Sequence, residues 1–363
     1  MRITTNYKNL KTALGLVEKI VSKNPSLPIL NNVLIKTENG RLKISATNLE
    51  IGINYLIGAK IEEVGEIAVP ARIFSDFISN ISDDKISLTT KNNILYISSD
   101  KYKTQILGFD TKDFPIIPKI KDGFLCSLPS KLIRNSFLAV FDSMALSETR
   151  PELAGVYIKL NKNNITFAST DSFRLTEKLV DFKTDKTADL ILPRNTIAEM
   201  IRITGDFDGE ISIYAKENQI SFINNDFELV SRIIDGNYPD YKKVIPEKFI
   251  SKILVDKDVF EKNVRLAGLF SSNISDIKLI CSKDKVTITS KSSDKGEIEV
   301  LVESVLKNEP FEISLNHQYL IDGLKKIPTN KAVIEWTGVG SPLILRPAEE
   351  KRDLIYLIMP FRK

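Results

Sequence analysis

Few side chains in this sequence could carry acid–base or nucleophilic chemistry. Histidine is the side chain that changes charge near neutral pH, and the 363 residues contain one, His317. With one imidazole and two distant cysteines, Cys126 and Cys281, histidine-based triads and zinc clusters have almost nothing to work with. His317 stands at the start of a helical pattern, which favours a surface or capping role. Asp206-Phe207-Asp208-Gly209 comes nearest to paired metal-binding carboxylates, and a nuclease-like or hydrolytic enzyme would use them with a divalent ion. They lie between a helix pattern and a strand pattern, where Asp and Gly are ordinary turn residues. Asp83-Asp84 stands 123 residues upstream in the same setting, so the turn reading is preferred. No P-loop, dinucleotide fingerprint or nucleophile elbow occurs. The expectation is a protein without catalysis, metal or cofactor.

The basic side chains say more. Stretches with helical periodicity carry Lys8, Lys11, Lys19, Arg72, Lys131, Arg134, Arg194, Arg202, Lys257, Lys262, Arg265, Lys325 and Lys326. Their acids are Glu18, Asp76, Glu199, Asp256, Asp258, Glu261 and Asp322. Thirteen against seven is +6, whereas the whole chain, with 51 Lys+Arg and 47 Asp+Glu, is only +4. Helices turned one way would present a positive face that attracts phosphates. Any one lysine is explained by solvation of an exposed helix. The excess over the set argues against a β-rich scaffold that never meets nucleic acid.

The elements that must position these groups come in three copies. Val33-Leu34-Ile35-Lys36, a polar turn and residues 42–48 are matched 123 residues later by Val156-Tyr157-Ile158-Lys159, the turn Asn161-Lys162-Asn163-Asn164 and residues 165–171. A more diverged copy reads Ile277-Lys278-Leu279-Ile280, a turn at Lys283-Asp284-Lys285, then Val286-Thr287-Ile288-Thr289. Pro70, Pro193 and Asn316, each closing an apolar run, are again spaced by 123. Register held across separate elements marks an internal repeat.

Each repeat opens with an amphipathic helix, the first through Leu10, Leu14, Val17 and Val21, the others over 132–141 and 259–270. Strands of period two follow, such as Ile51, Ile53, Tyr55 and Ile57. A second helix begins at the proline or asparagine, with apolar faces Ile73, Phe74, Phe77, Ile78 and Ile81, then Ile197, Met200 and Ile201, then Leu320, Ile321 and Leu324. Strands at 86–90 and 94–98 complete the unit. The fold class is α+β: three similar domains, each with two helices packed on antiparallel sheets. Proline-bearing joints at Phe114-Pro115-Ile116-Ile117-Pro118 and Val244-Ile245-Pro246-Glu247 place the domains at 1–120, 121–247 and 248–363. Apolar residues at 42% and charged residues at 27% suit packed globular domains. Sparse cysteine suits a reducing cytoplasm with free buried thiols. Residues 1–5 lack the apolar run of a signal peptide and no 18 apolar residues run unbroken, so a cytoplasmic protein that does not cross a membrane is expected.

Several stretches resemble one family, the bacterial beta sliding clamps. Thr170-Asp171-Ser172-Phe173-Arg174-Leu175 resembles its T-D-G-H-R-L segment, and Asp235-Gly236-Asn237-Tyr238-Pro239-Asp240-Tyr241 its D-G-x-[FY]-P-D-Y segment. Tyr356-Leu357-Ile358-Met359-Pro360-Phe361-Arg362 is similar to its Y-x-[IV]-M-P-[MV]-R terminus, and Leu27-Pro28-Ile29-Leu30 and Val69-Pro70-Ala71-Arg72 also match. The likeness runs end to end. Departures are Phe173 for a histidine, Ser172 for a glycine, Lys242-Lys243 for an arginine pair and Lys363 for an apolar last residue, in a chain more basic than the family's usual acidic members.

The resemblance implies a DNA sliding clamp and processivity factor, a non-catalytic subunit of the DNA polymerase III holoenzyme. It implies a head-to-tail homodimer, six domains closing a ring with helices inside. Twelve helices about 10 Å apart make a circle of roughly 38 Å, leaving about 28 Å inside one helix thickness, room for a duplex. Double-stranded DNA would be held without base reading, the facing residues being Lys8, Lys11, Arg72, Lys131, Arg134, Arg194, Arg202, Lys262, Arg265 and Lys325. Polymerase, clamp-loader subunits and other proteins with a clamp-binding motif would dock a peptide between the second and third domains. The residues implied are Leu153, Thr170, Ser172, Phe173, Arg174, Leu175, Pro239, Lys243, Val244, Asn316, Tyr319, Leu357, Ile358, Met359, Pro360 and Arg362. Read without the resemblance, 357–360 suits a buried last strand nearly as well. For the ring contact, Ile106 on an edge strand of the first domain is implied to face Leu269 and Phe270 of the third; for Phe270, packing within its own domain competes.

Overall fold

The computed structural model describes residues 1–21, 27–147, 149–205, 207–348 and 353–361. Six α-helices are found among them: α1 Tyr7–Val17, α2 Ala71–Asn80, α3 Ser130–Phe141, α4 Arg194–Ile203, α5 Lys257–Gly268 and α6 His317–Lys326. Their pairing across the sequence is the repeat made visible, two helices to each copy. The apolar spacing fixes the faces: α1 buries Leu10, Ala13, Leu14 and Val17, and α2 buries Ala71, Phe74, Ser75 and Ile78. Ile81 lies just past α2 in extended backbone, and three further positions depart from the sequence reading. Val21 lies beyond α1, in extended backbone after a 3-10 turn at Glu18–Ile20. Ile73 is 59% exposed, one residue off the buried stripe of α2. Phe270 follows the end of α5 instead of closing it.

Start signals differ among the copies for a chemical reason. Pro70 and Pro193 end the strands Glu66–Pro70 and Ala188–Pro193, one residue before their helices, and so precede the first helical turn. Asn316 holds the same place before α6 and accepts hydrogen bonds from the Gln318 and Tyr319 backbone amides at 2.9 and 3.4 Å, which proline cannot do. Asn6 caps α1 and Asp256 caps α5 in the same manner.

The chain divides into two compact units. The first comprises residues 1–133 and 198–233 and holds one twelve-stranded antiparallel sheet. Its main path runs Lys103–Leu107, Ile94–Ser98, Lys85–Lys91, Arg2–Asn6, Ile51–Glu63, Phe227–Arg232, Gln219–Ile223, Glu210–Lys216 and Phe124–Pro129. Ile51–Glu63 is the long central strand. It pairs with Phe227–Arg232 in the register Tyr55 to Phe227 and Ile51 to Ser231. This ladder draws the last hairpins of the second repeat into the first unit, so compactness cuts the chain elsewhere than the repeat does. Ile3, Leu10, Leu14, Ile44, Ile53 and Phe74 are fully buried in its core.

The second unit comprises residues 134–197 and 234–363. A nine-stranded sheet runs Ala188–Pro193, Gly155–Leu160, Asn164–Thr170, Arg174–Asp181, Leu354–Ile358, Leu343–Pro347, Lys331–Trp336, Ser251–Asp256 and Val305–Asn308. A four-stranded sheet runs Gly296–Glu303, Lys285–Ser292, Asp276–Cys281 and Phe311–Asn316. The pairing of Arg174 with Ile358 and Lys178 with Leu354 repeats the joint of the first unit, since Arg174 stands 123 residues after Ile51. α5 packs on α6 as α1 does on α2. Both cysteines are free and buried. Among the described residues no helix is long and apolar enough to cross a membrane.

Candidate partner-binding slot and basic helices

The chemistry-bearing residues turn out to be occupied with structure. The His317 ring packs against Gly268, where a Cβ would come within 2.4 Å of it, and its Nδ1 lies 2.9 Å from the Ser275 carbonyl. That ties the start of α6 to the end of α5. Asp208 pairs with Lys131 at 2.9 Å, and Asp206 lies outside the described residues. Asp83 accepts the Lys101 amide at 2.9 Å; bonds from Ser99 and that amide hold its carboxyl below the usual range. Among the described residues no cluster of three or more His, Cys, Asp or Glu could hold a metal ion.

The strand Arg174–Asp181 and the C-terminal strand Leu354–Ile358 together build a slot in the second unit. Side chains alternate along each strand, so Leu175 and Leu357, which pair directly, turn to one face with Ala168, Tyr241 and Ile344. Met359, Tyr238, Ile245 and Phe249 pack on that cluster from its margin. The same alternation sends Ile358 the other way: it is fully buried in the core of the third repeat beside Tyr356, away from Leu357 and Met359. The ladder continues past the strand, because the Met359 amide donates to the Phe173 carbonyl at 2.8 Å and the Phe361 amide to that of Ser314 at 2.9 Å. Met359 and Pro360 are thereby fixed, half-buried, at the slot's edge. Arg362 and Lys363 lie outside the described residues.

Arg174 is the polar keystone. It donates to Asp171 at 2.9 Å and to Asp322 on α6 at 2.6 Å, and its guanidinium lies 4.4 Å over the Tyr319 ring. Burial disfavours its charge, yet Tyr356 and Asp171 beside it more than offset that and raise its pKa. The Tyr356 hydroxyl in turn donates to the Tyr319 carbonyl at 2.9 Å. Thr170 closes the preceding turn, its hydroxyl donating to the Arg174 carbonyl at 2.7 Å. Ser172 sits at φ 77°, where an L side chain costs roughly 1–2 kcal/mol and the related segment has glycine. This turn pushes Phe173 outward to 62% exposure.

The remaining implied residues form the surroundings. Leu153 is buried, Pro239 is half-buried, Val244 is 45% exposed, and the exposed Lys243 pairs with Asp240 at 3.1 Å. Sequence reasoning missed Asp171, Tyr238, Tyr241 and Ile344 as slot-builders. The first three stood inside the quoted segments; Ile344 had no local signal.

The six helices contain twelve basic and five acidic residues, a net +7. Lys8, Lys11, Arg72, Lys131, Lys262, Arg265 and Lys325 are exposed. Arg72 pairs loosely with Asp76 at 3.8 Å, and Arg265 with Glu261 at 2.5 Å. Arg134, Arg194 and Arg202 are half-buried. Arg194 stacks 4.4 Å over Phe141, while Arg202 pairs with Glu199 and donates to the Leu16 carbonyl at 2.7 Å. These last two spend much of their charge within the fold. Lys326, counted in the basic excess, is 4% exposed and bound to Asp142 at 2.9 Å.

Two of the strands at sheet ends carry exposed apolar residues. Lys103–Leu107 closes the twelve-stranded sheet, with Ile106 buried and Leu107 68% exposed. Gly296–Glu303 closes the four-stranded sheet, with Leu301 59% exposed. Leu269, just after α5, is 65% exposed, and Phe270 is half-buried.

Comparison with known proteins matches three consecutive family models. They are the N-terminal domain of the DNA polymerase III beta subunit over residues 1–118, its central domain over 127–240 and its C-terminal domain over 242–362. Beta sliding clamps of Staphylococcus aureus and Rickettsia bellii are each 26% identical across 100% of this chain and 99% and 100% of theirs. The DNA polymerase sliding clamp of Bacillus subtilis superimposes with a TM-score of 0.95 at 25% identity, over 100% of this chain and 99% of that one. The Pseudomonas aeruginosa clamp, solved with griselimycin bound, gives 0.95 at 25% identity over the full length of both.

Proposed function

Because this chain belongs to the DNA polymerase III beta subunit family and is a sliding clamp, the non-catalytic processivity subunit, we propose that two copies close head to tail around duplex DNA. The family binds DNA and polymerase; the ring, the docking residues and the DNA-facing residues of this chain are our reading.

One observation carries the ring. The joint between Ile51–Glu63 and Phe227–Arg232 recurs between Arg174–Asp181 and Leu354–Ile358. A third joint would need the next strand in the series, Gly296–Glu303, and the first, Lys103–Leu107. Both are edges, which are templates for pairing. Carried over through the ladders, whose Lys285–Glu303 hairpin is shorter than its counterparts, Leu301 of one copy lies opposite Lys101 of the other, and Glu299 opposite Lys103. Exposed Lys101 and Lys103 meet exposed Glu299 and Glu303, so charge supports the pairing. Ile106 then contributes its backbone, and Leu107, Leu269 and Leu301 the apolar surface. A heterologous contact that closes on itself gives a ring.

The slot of Leu175, Leu357 and Met359, with Phe173, Val244 and Pro239 around it, receives partner peptides. Apolar side chains with a methionine make an adaptable surface. Burying two peptide side chains at about 1.5–3 kcal/mol each, less the cost of ordering, gives affinity on the order of micromolar. That weakness suits exchange among polymerase, clamp loader and other partners. Exposed basic residues on the helices attract phosphates without reading bases, leaving the ring free to slide. We assign the domains to 1–120, 121–247 and 248–363, supported by the repeat and the family matches. The two free thiols support a cytoplasmic setting.

Light scattering over dilution from micromolar to nanomolar tests the ring. A mass near twice 40.9 kDa is expected; a monomer throughout refutes the reading.

A further inference from the structure

Beside the slot, in the same unit, lies a second cleft of about 500 Å³, lined among others by Tyr157, Lys159, Asn164, Tyr238, Pro239 and Lys242. We propose that it binds the flank of the docked peptide, an extended stretch bearing proline; this rests on the slot reading given above.

Continuity points to a flank of the same peptide. Pro239 borders both recesses. Tyr241 lines the cleft and also packs in the apolar cluster of Leu175 and Leu357. A chain leaving the slot past Pro239 enters the cleft, whose size is within the range of ligand sites.

Chemistry points to proline. Tyr157 and Tyr238 are stacked, centroids 5.0 Å apart and planes at 14°, with Tyr241 edge-on to both at 6.2 Å. Such a set of packed aromatic rings is a ready platform for a pyrrolidine ring. The acceptors nearby are engaged within the protein: Tyr157 donates to Asp189, Tyr241 donates to Glu177 at 2.6 Å, and Asp240 holds Lys243 at 3.1 Å. The Asn164 side-chain oxygen accepts from Asn161 at 3.1 Å, which leaves its amide hydrogens to donate. Lys159 pairs with Asp189 at 3.6 Å and Lys242 with Glu177, and because each ammonium carries three hydrogens it keeps donors for the cleft. An extended proline segment is the complementary ligand, rich in outward carbonyls and poor in N–H groups.

The test uses the full-length protein and a fluorescent peptide carrying the clamp-docking segment of the organism's own replicative polymerase. It is made in a short form, with four added residues containing two prolines at either end, and with Gly-Ser residues there instead. Polarisation titrations should show the proline flank, at one of the two ends, binding about tenfold more tightly than the Gly-Ser flank. Tyr157→Leu and Asn164→Ala should each erase that gain, Asn164→Ala with short-peptide affinity as in the wild type. Equal affinity for proline and Gly-Ser flanks, or a gain that survives both substitutions, overturns the proposal. An aromatic or acidic flank outperforming proline also overturns it. If Tyr157→Leu disturbs folding, Asn164→Ala decides. A short peptide that fails to bind, or binds as well to Met359→Ala, is a separate outcome: it defeats the slot itself.

Discussion

Arg174 and Asp322 meet at 2.6 Å, guanidinium to carboxylate, and so fasten the slot-forming strand of the second repeat to a helix of the third. The side chains are only 12% and 17% exposed. Replacing Arg174 with Met leaves Asp171 and Asp322 facing one another without their cation. A loss of about 3 kcal/mol is expected, as for breaking a buried pair, read as a fall in the second unit's melting temperature. An unchanged melting temperature would show that the pair is ornamental.

Met359 is held at the slot by its amide bond to Phe173. Met359→Ala removes apolar contact from the peptide but leaves that backbone bond in place. Peptide affinity should fall roughly tenfold, about 1.4 kcal/mol, with the dimer mass unaltered. Truncation of residues 359–363 should abolish polymerase stimulation and spare the dimer. Full stimulation after truncation would place the docking site elsewhere.

The proposed ring joint sets Glu299 opposite Lys103 of the other copy. Directly opposed strand residues have Cβ atoms about 4.5–5.5 Å apart, near the reach of a disulfide. The double variant Lys103→Cys, Glu299→Cys should oxidise to a covalent species, and each single variant should not. Because the native thiols are buried, they should not compete. Leu269→Asp with Phe270→Asp should raise the monomer fraction on dilution.

Glu38 is held at a pKa of about 2 by hydrogen bonds from Lys119 and Lys43. Its folded pKa lies below the ordinary carboxylate value, so its contribution to stability is complete above pH 4.5 and is lost as pH falls towards 2. Acid unfolding of Glu38→Gln should be less steep across that window than that of the wild type. Parallel pH profiles would mean that the two lysines do not favour the folded state.

Much of this architecture was legible because a repeat shows its elements three times. The spacing of 123 located all six helices, and period-two patterns located the strands. Leu175 and Leu357 could be named from their segments, but their shared face depended on a ladder between residues far apart in sequence. Ile358 shows the limit: it is adjacent to both Leu357 and Met359, yet strand alternation turns it into another core. Arg194 and Arg202 were legible as cations, but their turn towards Phe141 and Glu199 came only with the packing. Ile106 was readable as an edge-strand residue, while the exposure of Leu107 in its place required the sheet.

The two joints seen inside the chain and the third proposed between chains would use the same kind of ladder, but they differ in what tethers them. When an internal joint breaks, the polypeptide keeps its halves at a high effective concentration, millimolar for a short tether, and re-pairing is unimolecular. The strands Lys103–Leu107 and Gly296–Glu303 have no such tether to a second copy. Equal contacts would therefore have unequal lifetimes, and opening would begin at the seams that the peptide bond does not span.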